Sequence, residues 1–165
     1  MKKLSLVLAA LIAALLLCSC SGSKEASSAK AGADSAKSLS QVFEDIKSQV
    51  EIKDFNEFTN AKSLDRYYGL TEKDFDDFAG GINSTGTNQE EIVLIKAKDQ
   101  AGVTEVQKAL QNRYDNKMAQ NKNYNPKQAE MVSKCKVENF GLYVTMIVSP
   151  NAEKITEIFK TDLGL

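Results

Sequence analysis

EEIVLIKAKD, residues 90–99, is the strongest strand pattern in the chain, because its middle is apolar without interruption from Ile92 to Ile95. Neighbouring side chains of a strand point to opposite faces of a sheet, so this run is apolar on both faces. Charged residues on either side limit the run to the length of one strand. The stretch therefore predicts a central strand of a sheet.

Amphipathic helices are predicted on both sides of this strand, because apolar residues recur there at three- and four-residue steps. Residues 38–50 predict the first helix, with Ser38 or Ser40 as its N-cap. Residues 101–122 predict the longest helix. The apolar stripes are Leu39, Val42, Phe43, Ile46 and Val50 in the first helix and Val103, Val106, Leu110, Tyr114 and Met118 in the longest one.

Both prolines of the chain stand where a helix is predicted to begin, since proline fits the first helical position better than any later one. Pro126 predicts a short helix over residues 126–134. Ser149 and Pro150 predict the N-cap and the first residue of a last helix.

A hairpin is predicted for SKCKVENFGLYVTMIVS, residues 133–149. Cys135 and Val137 alternate with charged residues, which places both on the apolar face of the first strand. A turn around residues 139–141 leads into a strongly apolar strand over residues 142–148.

Residues 71–83 fit two different structures. They could form a short helix that is capped at Thr71 and stopped by Gly80 and Gly81. They could equally contain a strand that leads into a hairpin loop over residues 84–89. Elsewhere, helices flank a few strands without regular βαβ alternation. The chain therefore predicts a single α+β domain over residues 39–165, with a small, mostly antiparallel sheet covered by helices on one face.

The N-terminus has the pattern of an export signal. Lys2 and Lys3 precede an apolar run from Leu4 to Leu17. A helix needs about 20 apolar residues to cross a bilayer, so this run is too short to span one. Residues 1–19 are therefore predicted to be a signal peptide, and residues 20–38, rich in Ser, Ala and Lys, a flexible linker.

The segment Leu17-Cys18-Ser19-Cys20 resembles the lipobox of bacterial lipoproteins. The resemblance implies that the Cys20 thiol receives a diacylglycerol and that cleavage makes Cys20 the first residue. Two acyl chains anchor a protein stably, which predicts a location on the extracytoplasmic face of the cell membrane. Cys135 would then hold the only thiol of the mature chain, whereas a chain without the lipid could pair Cys20 with Cys135.

The composition argues against several functions. The 165 residues include no His and no Trp, and 21 Lys and Arg stand against 22 Asp and Glu. Without His, the usual base of Ser and Cys hydrolases and the commonest zinc ligand are missing. The charge balance argues against a nucleic-acid partner. The sequence has no phosphate-binding motif and no Cys pair at metal spacing, so we expect neither a cofactor nor a metal ion.

Asp74, Asp76 and Asp77 form the carboxylate cluster that could hold Ca²⁺ or act as an acid–base pair. The cluster lacks the glycine and the later glutamate of an EF-hand loop, and we favour a solvated acidic turn. Cys135 could be a nucleophile, but its place in the strand pattern favours burial in the core.

Two further segments have a functional and a structural interpretation. Arg113 stands near the apolar stripe of the longest helix and could bind an anion or a peptide carboxylate at the rim of a cleft. The simpler interpretation packs its stem on the core and leaves its head in water. The polar segment Tyr124-Asn125-Pro126 fits either a packed turn or a contact with a partner.

Several stretches together resemble an uncharacterised domain family found in lipoproteins of Clostridia-type Gram-positive bacteria: EEIVLIKAKD, VQKALQNRY, YNPKQAEMV and NFGLYVTMIVSPNAEKI. The resemblance implies an exported, lipid-anchored domain without an assigned activity. We therefore predict a non-catalytic module that contacts an envelope protein. Two alternatives stay open: a binder of small ligands, and a hydrolase of envelope glycans that uses two carboxylates about 5–9 Å apart.

The Cys20→Ala variant tests the predicted anchor. We expect the mature wild-type protein to carry a diacylglyceryl group at Cys20 and to sediment with membranes, because two acyl chains hold a protein there. Intact-mass spectrometry and cell fractionation should show that the variant has lost both properties. Cys18→Ala is the matched control and should keep the lipid; a Cys20→Ala protein that still carries it would contradict the assignment.

Overall fold

The computed structural model describes residues 37–165. The predicted signal peptide over residues 1–19, the lipid-attachment residue Cys20 and the linker as far as residue 36 lie outside the described residues. Within residues 37–165, no helix has both the length and the apolar character that crossing a membrane requires.

The described residues form an α+β domain, as the sequence predicts. The helices are α1 (Leu39–Gln49), α2 (Ala61–Tyr68), α3 (Gln100–Tyr124), α4 (Pro126–Ser133) and α5 (Ala152–Leu163). The strands are β1 (Phe55–Glu57), β2 (Phe75–Asn83), β3 (Glu91–Ala97), β4 (Lys136–Phe140) and β5 (Tyr143–Val148).

The strands form one antiparallel sheet in the order β1-β2-β3-β5-β4. β3 is the middle strand, with β2 on one side and β5 on the other, which confirms the prediction from the run Ile92–Ile95. β4 lies at one edge of the sheet and pairs only with β5 among the described strands.

Helices cover both faces of the sheet, so the expectation of a single covered face is wrong. On one face, α2, α3 and α4 pack over Val93, Ile95, Val144 and Met146. On the other face, α1 and α5 pack over Ile92, Leu94 and Ile147. The alternation of β3 between two apolar clusters is the physical reason, because each face of an apolar strand must be removed from water.

Most predicted helix starts agree with the structure. Ser38 is the N-cap of α1 and forms a capping box with Gln41. Pro126 is the first residue of α4, which Asn125 caps. The predicted start of the last helix is wrong by two residues, since α5 begins at Ala152. Ser149 is instead a turn residue, whose Oγ accepts a hydrogen bond from the Asn151 amide over 3.2 Å.

Residues 75–83 are strand β2, which settles the choice left open by the sequence. Gly80 and Gly81 lie inside the strand rather than at the end of a helix. Gly80 has a φ of 126°, and a Cβ built on it would lie 1.9 Å from the carbonyl oxygen of Ile92. Gly80 therefore permits a close approach of β2 to β3 that a side chain would prevent, and Gly81 permits a similar approach of β2 to β1.

Gly80→Ala should destabilise the domain by about 3 kcal/mol or more, because the new methyl group would push β2 away from the central strand. Gly86→Ala is the matched control, since Gly86 also has a positive φ but has open space around its Cα. It should cost only about 1 kcal/mol of backbone strain. Chemical denaturation of both variants measures the difference, and equal losses would contradict the close-approach argument.

Candidate functional site

A buried carboxylate lies beneath α2 and α3, on the face of the sheet that α2, α3 and α4 cover. Glu91 is the first residue of β3 and is 0% exposed. Its partners come from α2, which supplies Tyr68, and from α3, which supplies Arg113 and Lys117. We call these four residues the Glu91 cluster. Arg113 and Lys117 are four residues apart, so they lie on the same side of α3.

Both oxygens of the Glu91 carboxylate accept hydrogen bonds from the cluster. Arg113 donates from Nε to Oε1 over 3.0 Å and from Nη2 to Oε2 over 2.8 Å. Lys117 Nζ lies 2.8 Å from Oε2, and the Tyr68 hydroxyl donates to Oε1 over 2.8 Å. Lys117 also donates to the carbonyl oxygen of Gln89, over 3.1 Å. These charge-assisted bonds join α2, α3 and the hairpin loop to the start of β3.

The pKa values of the cluster show which effects prevail at each group. Burial alone raises the pKa of Glu91, but hydrogen bonds from Arg113 and the charges of Lys117 and Arg113 outweigh it and lower that pKa below its ordinary value. Burial lowers the pKa of Lys117 despite the pull of Glu91. Burial, together with the adjacent Glu91, raises the pKa of Tyr68 well above its ordinary value. Glu91 is therefore an anion at neutral pH, and Tyr68 keeps its proton.

Arg113 differs from both of its predicted roles. It binds a carboxylate, but that carboxylate is Glu91 of the same chain, and only 31% of the Arg113 side chain is exposed. The carboxylate oxygens of Glu91 and the ammonium group of Lys117 are hydrogen-bonded to other residues of the same domain. The Glu91 cluster is therefore structural, and it positions α3 on the sheet.

The predicted acidic cluster is separated by the fold. Asp74 is buried, and its carboxylate accepts hydrogen bonds from the amide and the hydroxyl of Thr71. Asp77 accepts from the amide of Leu39 over 2.8 Å, whereas Asp76 is exposed. The prediction of a solvated acidic turn is therefore wrong for Asp74, which is buried, and for Asp76 and Asp77, which belong to strand β2. In residues 37–165, no set of three or more Asp, Glu or Cys side chains is placed to share a metal ion.

Cys135 is buried in the core, as the sequence favoured, although it precedes β4 instead of belonging to it. Its thiol donates to the carbonyl oxygen of Met131 over 3.3 Å, and burial raises its pKa. Tyr124 ends α3 with 89% of its surface exposed, so it does not pack in a turn. The following residue, Asn125, serves as the cap of α4.

A groove lies between the edge strand β4 and helix α5, and we call it the β4–α5 groove. Its volume is about 560 Å³. Ile147 and Ala152 contribute apolar surface to the groove, and Lys136 and Glu138 line it from the strand. Along α5, acidic residues line the first part of the groove and a lysine lines the last part. The helix-side residues that line the groove are Glu153, Thr156, Glu157, Lys160 and Thr161.

α5 runs beside β4 in the same direction. At one end, the charge of Glu153 raises the pKa of Lys136, after the larger effect of the Lys136–Glu138 ion pair. At the other end, Lys160 Nζ lies 5.4 Å from the centre of the Phe140 ring. A second hollow of about 610 Å³ lies next to the groove and shares Cys135 and Ala152 with it. The groove therefore follows β4 along Lys136 and Glu138 and ends near Phe140, where Lys160 lies over the ring.

The fold and the groove define an α+β domain in which two helical layers enclose one antiparallel sheet. A family model described as "Domain of unknown function (DUF4358)" matches residues 48–149. This match covers more than half of the chain, and the chain belongs to that family. A comparison with the curated proteins found no match. A comparison with the solved structures also found none.

Sequence reasoning missed most of the Glu91 cluster. In the sequence, Glu91 is one of the charged residues that flank the apolar run Ile92–Ile95, yet it opens a strand buried on both faces. Lys117 follows Leu110 by two helical turns on the buried side of α3. This position in the sequence could have identified Lys117 as a buried lysine. Asn121 extends the same buried row. A polar residue that continues an apolar stripe indicates a buried partner.

Glu91→Gln should lower the free energy of unfolding at pH 7 by about 3 kcal/mol, because it leaves the buried Lys117 and the half-buried Arg113 without their counter-charge. The folded-state pKa of Glu91 is below its ordinary value of 4.5. Its contribution is therefore complete above that value and is lost as the pH falls through the folded-state pKa. The gap in stability between wild type and variant should accordingly shrink on acidification.

Glu130→Gln is the matched control for this experiment. Glu130 also accepts an ion pair, from Lys134 over 2.9 Å, but 69% of its side chain is exposed. Solvent screens such a pair, so its loss should change stability little. Denaturant unfolding at neutral and at acidic pH measures both variants. Equal effects of the two substitutions would show that the Glu91 cluster does not hold the helices on the sheet.

Proposed function

We propose that this domain is a non-catalytic interaction module, tethered through Cys20 to the extracytoplasmic face of the cell membrane, where it contacts an envelope protein. The observation that carries the proposal is the β4–α5 groove, which lies along an edge of the sheet. A groove beside a strand edge offers both main-chain groups and side-chain pockets to a partner. The short signal-like N-terminus and the lipobox-like segment before Cys20 support the location.

The distribution of charged groups supports a binding role more than a catalytic one. The most deeply buried carboxylate, Glu91, is fully hydrogen-bonded. The groove carboxylate Glu138 pairs with Lys136 over 2.7 Å, and the nearby thiol of Cys135 has a raised pKa. A thiol with a raised pKa is a poor nucleophile at neutral pH.

A small-ligand binder is the second candidate, and the volume of the groove favours it. About 560 Å³ lies within the range of small-molecule sites, roughly 300–1,000 Å³. A ligand that binds the folded state must raise the melting temperature. A melting-temperature screen of amino acids, short peptides and sugars with the purified protein therefore separates this candidate from a protein partner.

Site-specific photo-crosslinking in intact cells tests the interaction module. A photo-reactive residue in place of Thr156, inside the groove, should capture one defined envelope protein. The same residue in place of Glu105, on the exposed side of α3, is the matched control and should not. Mass spectrometry identifies the product. The captured protein should be lost from the Cys20→Ala cells, because the domain would no longer be held at the membrane.

Two results would contradict the proposal. The first is equal capture from the groove and from the control position, which would indicate collisions without a specific surface. The second is turnover of an envelope substrate by the purified protein that a single substitution in the groove, such as Glu157→Gln, abolishes. Such activity would favour the carboxylate hydrolase.

A further inference from the structure

We propose that the β4–α5 groove binds an extended segment of a partner protein, which adds to β4 as a further strand and directs basic side chains toward α5. This inference rests on the proposed function and specifies the partner: an extended, basic polypeptide segment. Three properties of the groove lead to it, namely the strand edge, the uncovered strand face and the distribution of unpaired charge.

The edge of β4 offers main-chain partners. Residues of an antiparallel pair alternate between bonding each other and directing their N–H and C=O groups away from the pair. β4 pairs with β5 from Lys136 to Phe140, and no other described strand lies on its outer side. Every second residue of β4 therefore directs its main-chain groups toward the position that a further strand would occupy.

The strand face beside that edge has room for side chains. Lys136, Glu138 and Phe140 alternate along β4 on the side of α5. α5 packs on β5 and on the centre of the sheet, and the space between it and β4 remains as the groove. A strand added beside β4 would place every second side chain in this space, because side chains of neighbouring strands share one face.

The charge in the groove selects the kind of segment. Lys134 pairs with Glu130, and Lys136 pairs with Glu138. Glu153 and Glu157 form no ion pair with any residue in the described range 37–165, and both line the groove from α5. They stand one helical turn apart, so they present two carboxylates along the path of the added strand.

Lys160 is the remaining cation of the groove and lies at its far end, over the Phe140 ring. Within residues 37–165 it forms no ion pair with Glu157, although the two lie three residues apart on α5. A Lys or Arg side chain of the incoming segment would reach Glu157 in the middle of the groove and form an ion pair with it. The ion pair of Lys136 with Glu138 on the edge also discourages indiscriminate pairing with apolar strands, which makes the edge selective.

Binding of synthetic peptides to the purified full-length protein in detergent micelles tests the inference. The probes are labelled peptides of alternating Val and Lys, of alternating Val and Glu, and of Val and Lys with every main-chain nitrogen methylated. Fluorescence anisotropy measures their dissociation constants. The Val-Lys peptide should bind at least about tenfold more tightly than the Val-Glu peptide, because only lysine complements Glu153 and Glu157. The methylated peptide should not bind, since it cannot donate main-chain hydrogen bonds.

Substitutions in the protein complete the test. Glu153→Gln and Glu157→Gln should each weaken binding of the Val-Lys peptide about threefold, as expected for exposed ion pairs. Glu105→Gln on α3 is the matched control and should leave the binding unchanged. Equal binding of the Val-Lys and Val-Glu peptides, or binding of the methylated peptide, would overturn the inference. Self-association through β4, seen as a dimer that the Val-Lys peptide cannot dissociate, would overturn it as well.

The peptide-binding experiment and the photo-crosslinking experiment can fail independently of each other. If the groove captures a specific envelope protein in cells but the Val-Lys peptide does not bind, the module is supported and the added-strand inference is wrong. If the peptide binds but the groove captures no protein in cells, the groove recognises basic extended segments and the proposed envelope contact is wrong.

Discussion

The rest of the fold depends on the neutralisation of one buried charge. Glu91 opens the central strand in a place that water does not reach, and a lone carboxylate there would cost several kcal/mol. Arg113, Lys117 and Tyr68 offset that cost with short hydrogen bonds. Because these partners belong to α2 and α3, neutralising the charge also fixes both helices on the sheet. The cluster thus joins the sheet to one of its two helical layers.

The helices on the two faces of the sheet together determine which surfaces remain open. With α3 held across β3, β5 and β4 on one face, and with α1 and α5 packed on the other, the centre of the sheet is closed. The surfaces that remain open include the edge strand β4 and the space between it and α5. The groove is consequently a product of the fold, since α5 begins after a short turn from β5 and covers β5 rather than β4.

The sequence predicted the elements better than their arrangement. The run Ile92–Ile95 predicted the central strand, because periodicity reports burial directly. It did not reveal the second helical layer, although an apolar strand needs cover on both faces. Residues 75–83 stayed ambiguous, because the glycines that normally end a helix serve here to admit a neighbouring strand. The sequence indicated that Arg113 could bind a carboxylate. It did not indicate that this carboxylate is Glu91, because the two residues meet only in the tertiary structure. The groove likewise arises only when β4 and α5 meet.

Hydrogen exchange of the purified full-length protein tests most directly whether the β4 edge is open for a partner. In an open edge, the outward amides of β4 have only water as a partner, whereas the amides of β3 are bonded on both sides. Our account predicts that alternate amides of β4 exchange at least about a hundredfold faster than those of β3 at neutral pH. Protection of all β4 amides at the level of β3 would contradict it, because the edge would then already be covered in the isolated protein.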